Sequence, residues 1–248
     1  MNVSFGFDQI SKHIEDLALR ELELSPLALA PELASLVGEF RGKPAQLSAR
    51  AYAGPRHAYA RFVELVGDGL EIANILIVGR PEWPLPVLGI DLVGLGKEKA
   101  VVVADLSPMT DDAVQRAVER DVVARCRATR LAPELAIELP AWAAAWFSES
   151  ALCARIPLSE SVAACQAVAE MADAFVQLSR GAPPALDFRA PTAGATGELR
   201  GEVARRQQAY FAAHRADDRG LLLLRRIFEP EVADRFLREV LFPERTPA

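Results

Sequence analysis

Only four lysines, three cysteines and three histidines occur in 248 residues, and each scarcity excludes something. Cys126, Cys153 and Cys165 lie far apart with no C-x-x-C pair. That argues against a disulfide framework and against a structural zinc or iron–sulfur site. His13, His57 and His214 are scattered, and no two have ligand spacing. There is no Walker A loop, no G-x-S-x-G elbow and no H-E-x-x-H. Gly94-Leu95-Gly96 lacks the third glycine of a dinucleotide fingerprint and reads as a hairpin turn. No apolar run approaches the roughly 18 residues of a membrane span; Leu221–Leu224 is bounded by Arg219, Arg225 and Arg226. The opening MNVSFGFDQISKHIEDL places Asp8, Lys12, Glu15 and Asp16 where a signal peptide requires apolar residues. A cytoplasmic, monomeric protein with no membrane partner is expected.

Charge excludes a further class. The net charge of −6 does not suit a nucleic-acid binder working through bulk positive charge. The 51% hydrophobic and 25% charged fractions are ordinary for a globular chain. Length and the absence of a low-complexity linker point to one domain over residues 1–248. Within it, residues 200–248 carry ten Arg against eight Asp and Glu, a local balance of +2 in an acidic chain.

What is present is a series of strand signals. The first fifty residues hold a helical pattern followed by Pro26, Pro31 and Pro44. AQLSARAYAG alternates apolar and polar residues, as a half-buried strand does. Arg56 to Val66 reads as a short helix or irregular segment. Three apolar runs follow: EIANILIVG, PVLGIDLVGLG and KAVVVADLS. Their short separations permit hairpins and leave no room for crossover helices, which favours an antiparallel meander. Asp111 to Arg130 reads as a helix with Thr110 or Asp111 as N-cap, and ALCARIPL as a further strand. A helix is predicted from Ser159, with Val168, Met171, Phe175 and Leu178 at helical spacing. Gly181 to Thr196 reads as a loop, and residues 197–220 and 229–241 as two closing helices. The expected class is α+β, a three-layer α/β/α sandwich around a central antiparallel sheet.

Two polar residues interrupt the apolar runs. Asp91 sits inside VLGIDLVGL, and Asn74 inside EIANILIVG. An aspartate there faces either solvent or a cavity. In a cavity, desolvation favours the protonated acid, a form able to donate a proton at neutral pH.

The wording of the chain is more specific than its pattern. Tyr52-Ala-Gly-Pro55, PEWPLPVLGIDLVGLG, VVVADLSP, ELPAW…FSESALCARIPLS, RRQQAYFAAHRADDRG and IFEPEVADRFLREVLFP occur in this order over residues 52–243. Together they resemble the ferredoxin-dependent bilin reductases. The resemblance implies the α/β/α fold, with an open-chain tetrapyrrole held between the sheet and the C-terminal helices. It implies biliverdin IXα as substrate, handed over by a heme oxygenase, and no bound cofactor. Electrons would come singly from a 2Fe–2S ferredoxin through a bilin radical.

Residue by residue, Asp91 matches the family's proton-donating aspartate. Asn74 falls where members that make phycocyanobilin have a catalytic histidine and others commonly have asparagine. Asp217, beside Asp218, matches a second aspartate of members that make phycoerythrobilin or phytochromobilin. A glutamate of the phycocyanobilin-forming members aligns with Phe62 or Val63, with Glu64 close by and out of register. Arg219 stands for a lysine that meets a bilin propionate, and Arg155 is a second substrate-binding candidate. An arginine expected before ELP is replaced by Ile137. The pattern suggests 15,16-dihydrobiliverdin or phycoerythrobilin as product. Two alternatives stand beside it: reduction of another linear tetrapyrrole, similar to red chlorophyll catabolite reductase, or a bilin-binding protein without reductase activity.

Overall fold

A computed structural model describes residues 5–96, 98–111, 131–139, 141–181, 197–217 and 219–244, with scattered positions between 116 and 124. The chain opens with helix α1 (Phe7–Glu21), which buries Phe7, Ile10, Ile14 and Ala18 at a three-to-four-residue spacing. Its first backbone N–H groups have no partner within the helix. The Glu71 carboxylate takes one of them, Phe7 N at 2.6 Å, and also Phe5 N just before the helix at 2.8 Å. Strands β1 (Ser25–Leu27) and β2 (Ser35–Phe40) flank the short helix α2 (Pro31–Ala34), and both pair with β3 (Lys43–Ala53).

From β3 the chain runs as consecutive antiparallel neighbours: β4 (His57–Gly67), β5 (Leu70–Gly79), β6 (Val87–Leu95), β7 (Lys99–Ser107) and β8 (Leu152–Pro157). The expected meander is therefore found, with Gly96 at φ 95° in the β6–β7 turn, where a left-handed backbone suits glycine. Residues 57–66 correct the sequence reading: they belong to strand β4 and are neither helical nor irregular. Strand β4 is central and buried on both faces, so HAYARFVEL shows no polar–apolar alternation. Pairing with β3 and β5 overrides whatever helical preference Ala, Leu and Glu carry there.

Side-chain alternation sorts the sheet into two cores. One face presents Phe62, Ile75, Ile90, Leu92, Val102 and Ile156 to α1 and to the long helix α4 (Ser161–Arg180). The short helix α3 (Ala141–Ala144) lies between β7 and β8 in the chain. The other face presents Leu47, Val63, Leu65, Leu76 and Val87 to the C-terminal helices. These are α5 (Gly197–Asp217), α6 (Arg219–Ile227) and α7 (Pro230–Phe236), extended by a π turn over Leu237–Leu241. Three layers result, as expected. The C-terminal segment differs from the expected two helices in being helical over 219–227 as well, between the two expected spans. The predicted helix over 111–130 and the loop over 182–196 fall largely outside the described residues.

Candidate active site

Asn74 and Asp91 stand directly opposite each other on β5 and β6, and their side chains share the α5–α7 face. Asn74 Nδ2 donates to Asp91 Oδ1 at 3.0 Å. Both residues are half-buried. Around them Ile72, Gly89, Val93, Val101, Val103 and Cys153 occupy the same face and are also partly exposed, whereas the alternating residues Ala73, Ile90, Leu92, Val102 and Ala104 are buried beneath. Four strands at about 4.8 Å spacing span about 14 Å. The result is a part-exposed, largely aliphatic floor with a carboxyl group on it. Arg155 is exposed on the β8 edge of this same face.

The wall of the site is held from β4. Arg61, only 1% exposed, donates from Nε to Leu241 O at 2.7 Å and from Nη1 to Asn74 Oδ1. Its guanidinium also lies 5.3 Å from the Phe242 ring centre. One pleat repeat away, the Tyr59 hydroxyl donates to Val240 O at 2.8 Å. The π turn thus ends on two β4 side chains.

Helix α5 adds an aromatic cluster. His214 stacks on Phe242 at 4.7 Å and meets Tyr210 at 4.2 Å and Trp142 at 4.8 Å. Burial, then the positive charge of Arg61, lowers His214 to about 3, so its imidazole is neutral at physiological pH. Tyr210 is pushed upward by burial and then by the charge of Asp105. Asp105, fully buried on β7, is itself raised by burial against hydrogen bonds from Ser148 and Ser107. Those bonds fasten residues 147–150 to the sheet.

The structure thus brings Asn74 and Asp91 together and places Arg155 on their face. Asp217 ends α5 and Arg219 begins α6; their side chains lie outside the described residues. Val63, not Glu64, faces Asn74 across β4 and β5. Glu64 points to the α1 side, where Ser11 and Arg50 donate to it. Arg61, Tyr210 and His214 were not singled out from sequence. An i, i+2 count along β4 would have put Arg61 on the face of Val63, had that segment been read as a strand. Among the described residues no cluster of His, Cys, Asp or Glu could hold a metal ion, and no helix is long and apolar enough to cross a membrane.

The sheet between two helical layers is shared with a solved protein. Tomato phytochromobilin synthase, solved in complex with biliverdin, superposes with a TM-score of 0.78 at 17% identity, covering 96% of this chain and 82% of that one. The profile of the ferredoxin-dependent bilin reductases matches residues 11–243, and the chain belongs to that family of oxidoreductases. Curated relatives include phycocyanobilin:ferredoxin oxidoreductase of Synechococcus elongatus, 30% identical over 247 residues, 95% of this chain and 94% of the relative. The enzyme of the same name from Trichodesmium erythraeum is 26% identical over 239 residues, 94% of this chain and 91% of the relative.

Proposed function

We propose that the chain, as one bilin reductase domain, reduces biliverdin IXα on the β5–β8 floor. Each two-electron reduction takes one electron from each of two reduced ferredoxins and two protons. Asp91 supplies a proton at the sheet face, and Asp217 is the second donor from the helix side. The observation that carries this is the Asn74–Asp91 pair on β5 and β6 within a part-exposed, largely aliphatic surface. A planar tetrapyrrole buries apolar area against such a floor, and an acid beneath it meets the pyrrole nitrogens or a methine carbon. Arg155 and Arg219 serve the propionates, which planar guanidinium groups recognise well.

Asn74 and Val63 favour 15,16-dihydrobiliverdin, or phycoerythrobilin after a second reduction, because they replace the histidine and glutamate expected of a phycocyanobilin-forming site. Phycocyanobilin is the second reading, favoured by the 30% identical relatives. Extracting the pigment after turnover decides between them by its absorption and chromatographic mobility.

The test of the mechanism is Asp91→Asn. An amide keeps the size and hydrogen-bonding capacity but has no proton to give near neutral pH. The variant should bind biliverdin, accept an electron and stall, with product formation at least ~100-fold slower. Single-turnover absorbance with excess reduced ferredoxin, at equal bilin occupancy, measures this. Near-normal product formation removes Asp91 from the mechanism.

A further inference from the structure

Arg61 has only donors on its side chain, so the Asn74 atom it meets must be the amide oxygen. That contact turns Asn74 Nδ2 toward Asp91, where it donates to Oδ1 at 3.0 Å. Arg61 cannot easily swing away, because it is 1% exposed and its Nε is already fixed on Leu241 O at 2.7 Å. We propose that Arg61 is a positioning residue that locks the Asn74 amide and thereby confines the Asp91 proton to Oδ2.

The argument is one of hydrogen-bond polarity. A free asparagine amide can present either end to a carboxyl group. Facing a protonated Asp91, it would rotate and accept the O–H through its own oxygen. The proton would then be held inside the sheet, and the acid would be weaker. With its oxygen held by Arg61, Asn74 can only donate. Oδ1 remains an acceptor, and the proton resides on the other carboxyl oxygen. This assignment rests on the reading of Asp91 as a proton donor for its catalytic meaning, but the lock itself is testable in the ligand-free protein. Among the described residues, the ionisable groups that share this sheet face with Asp91 include Tyr59 and Arg61 on β4, Asp105 on β7, and Cys153 and Arg155 on β8, with Tyr210 and His214 on α5 packed on the same side.

The experiment is an infrared titration of the Asp91 carboxyl in ligand-free protein, its band assigned by its loss in Asp91→Asn. Arg61→Met should move the titration upward by about one pH unit, the scale of a hydrogen bond to a charged group. Asn74→Ala should move it upward as well. In the double variant, adding Arg61→Met to Asn74→Ala should add little, because the lock has nothing left to hold. Should Arg61→Met fail to fold, Arg61→Lys keeps a cation without the planar fork and should give a smaller shift of the same sign. An unmoved titration, or an Arg61 shift of equal size with and without Asn74, overturns the assignment. Ferredoxin-driven single turnover separates the two readings. Normal turnover of Asp91→Asn with a shifted Arg61→Met titration defeats the proton-donor reading and leaves the lock standing. Slow Asp91→Asn with an unmoved titration does the reverse.

Discussion

On the α1–α4 side of the sheet, Phe62, Ile75, Ile90, Val102 and Phe175 fill the space until none is more than 2% exposed; on the α5–α7 side, Asn74, Asp91, Val101 and Val103 of the same strands remain partly open. Charge is handled differently too. Arg50 on the α1 side meets two carboxylates, Glu15 at 2.7 Å and Glu64 at 2.9 Å, and the Tyr52 hydroxyl also donates to Glu15. These contacts clasp α1 to β3 and β4. Arg61, on the other side, holds a backbone carbonyl and an amide. One face supplies rigidity, and the other spends it. Because neighbouring residues in a strand point to opposite faces, packing Ile90 and Leu92 fixes where Asp91 can be.

The largest effect should come from breaking the filled face. Phe175 is wholly buried against the sheet, so Phe175→Ala should lower stability by about 3–5 kcal/mol. Urea denaturation would show this, and the folded fraction should still form the wild-type pigment. Loss of product identity would mean that the two faces are not independent. Asp91→Asn is the converse cut: ~100-fold in product formation with a change of about 1 kcal/mol or less in the same denaturation assay.

A smaller effect compares one histidine from each side. His57, tilted against Phe175, is lowered to about 4 by burial and then by Arg56 and Arg80; His214 is lowered to about 3. Both are neutral at pH 7 in folded and unfolded chains, so neither affects stability there. Below about pH 6.5 the unfolded chain takes up protons that the folded chain refuses. Stability then falls by about 1.4 kcal/mol per pH unit for each histidine, until pH nears the folded values. Urea midpoints at pH 7, 6 and 5 should show His57→Phe and His214→Phe each flattening this limb by one proton. An unchanged slope would show that the imidazole in question is charged in the fold.

The smallest effect concerns the outer surface. Exposed Arg226 belongs to the basic C-terminal region, whereas its neighbour Arg225 is engaged by Asp234 at 2.8 and 3.0 Å. If an acidic ferredoxin docks there, Arg226→Glu should raise the ferredoxin KM about threefold at low salt, with the difference vanishing as salt screens the charges. Equal KM values at low salt would move the docking surface elsewhere.

How much was legible in the chain varies by element for physical reasons. Strands β3 and β5–β8 announced themselves through alternation or short apolar runs between turns, and α4 through its helical spacing. Strand β4 did not, because a strand covered on both faces has no period to read. The Asn74–Asp91 pair was visible as two polar intrusions in apolar runs; that they are partners is a matter of register, which follows from the β5–β6 hairpin. Arg61 was invisible for another reason. Its meaning depends on Leu241 and Phe242, and no local pattern joins residues at that separation.

That separation also orders the assembly of the molecule in time. Strands β3 to β7 close as successive hairpins, each needing only its immediate predecessor. The bonds from Tyr59 and Arg61 to the C-terminal turn span 181 and 180 residues. During synthesis from the N-terminus the β3–β7 hairpins can therefore pair as they emerge, while the Arg61 latch waits for residue 241, 180 positions later, to leave the ribosome. A nascent chain arrested before residue 241 would carry the acid without the clasp that orients it. The setting of Asp91 is thus a late event in folding, completed only when residues 241 and 242 have joined the sheet.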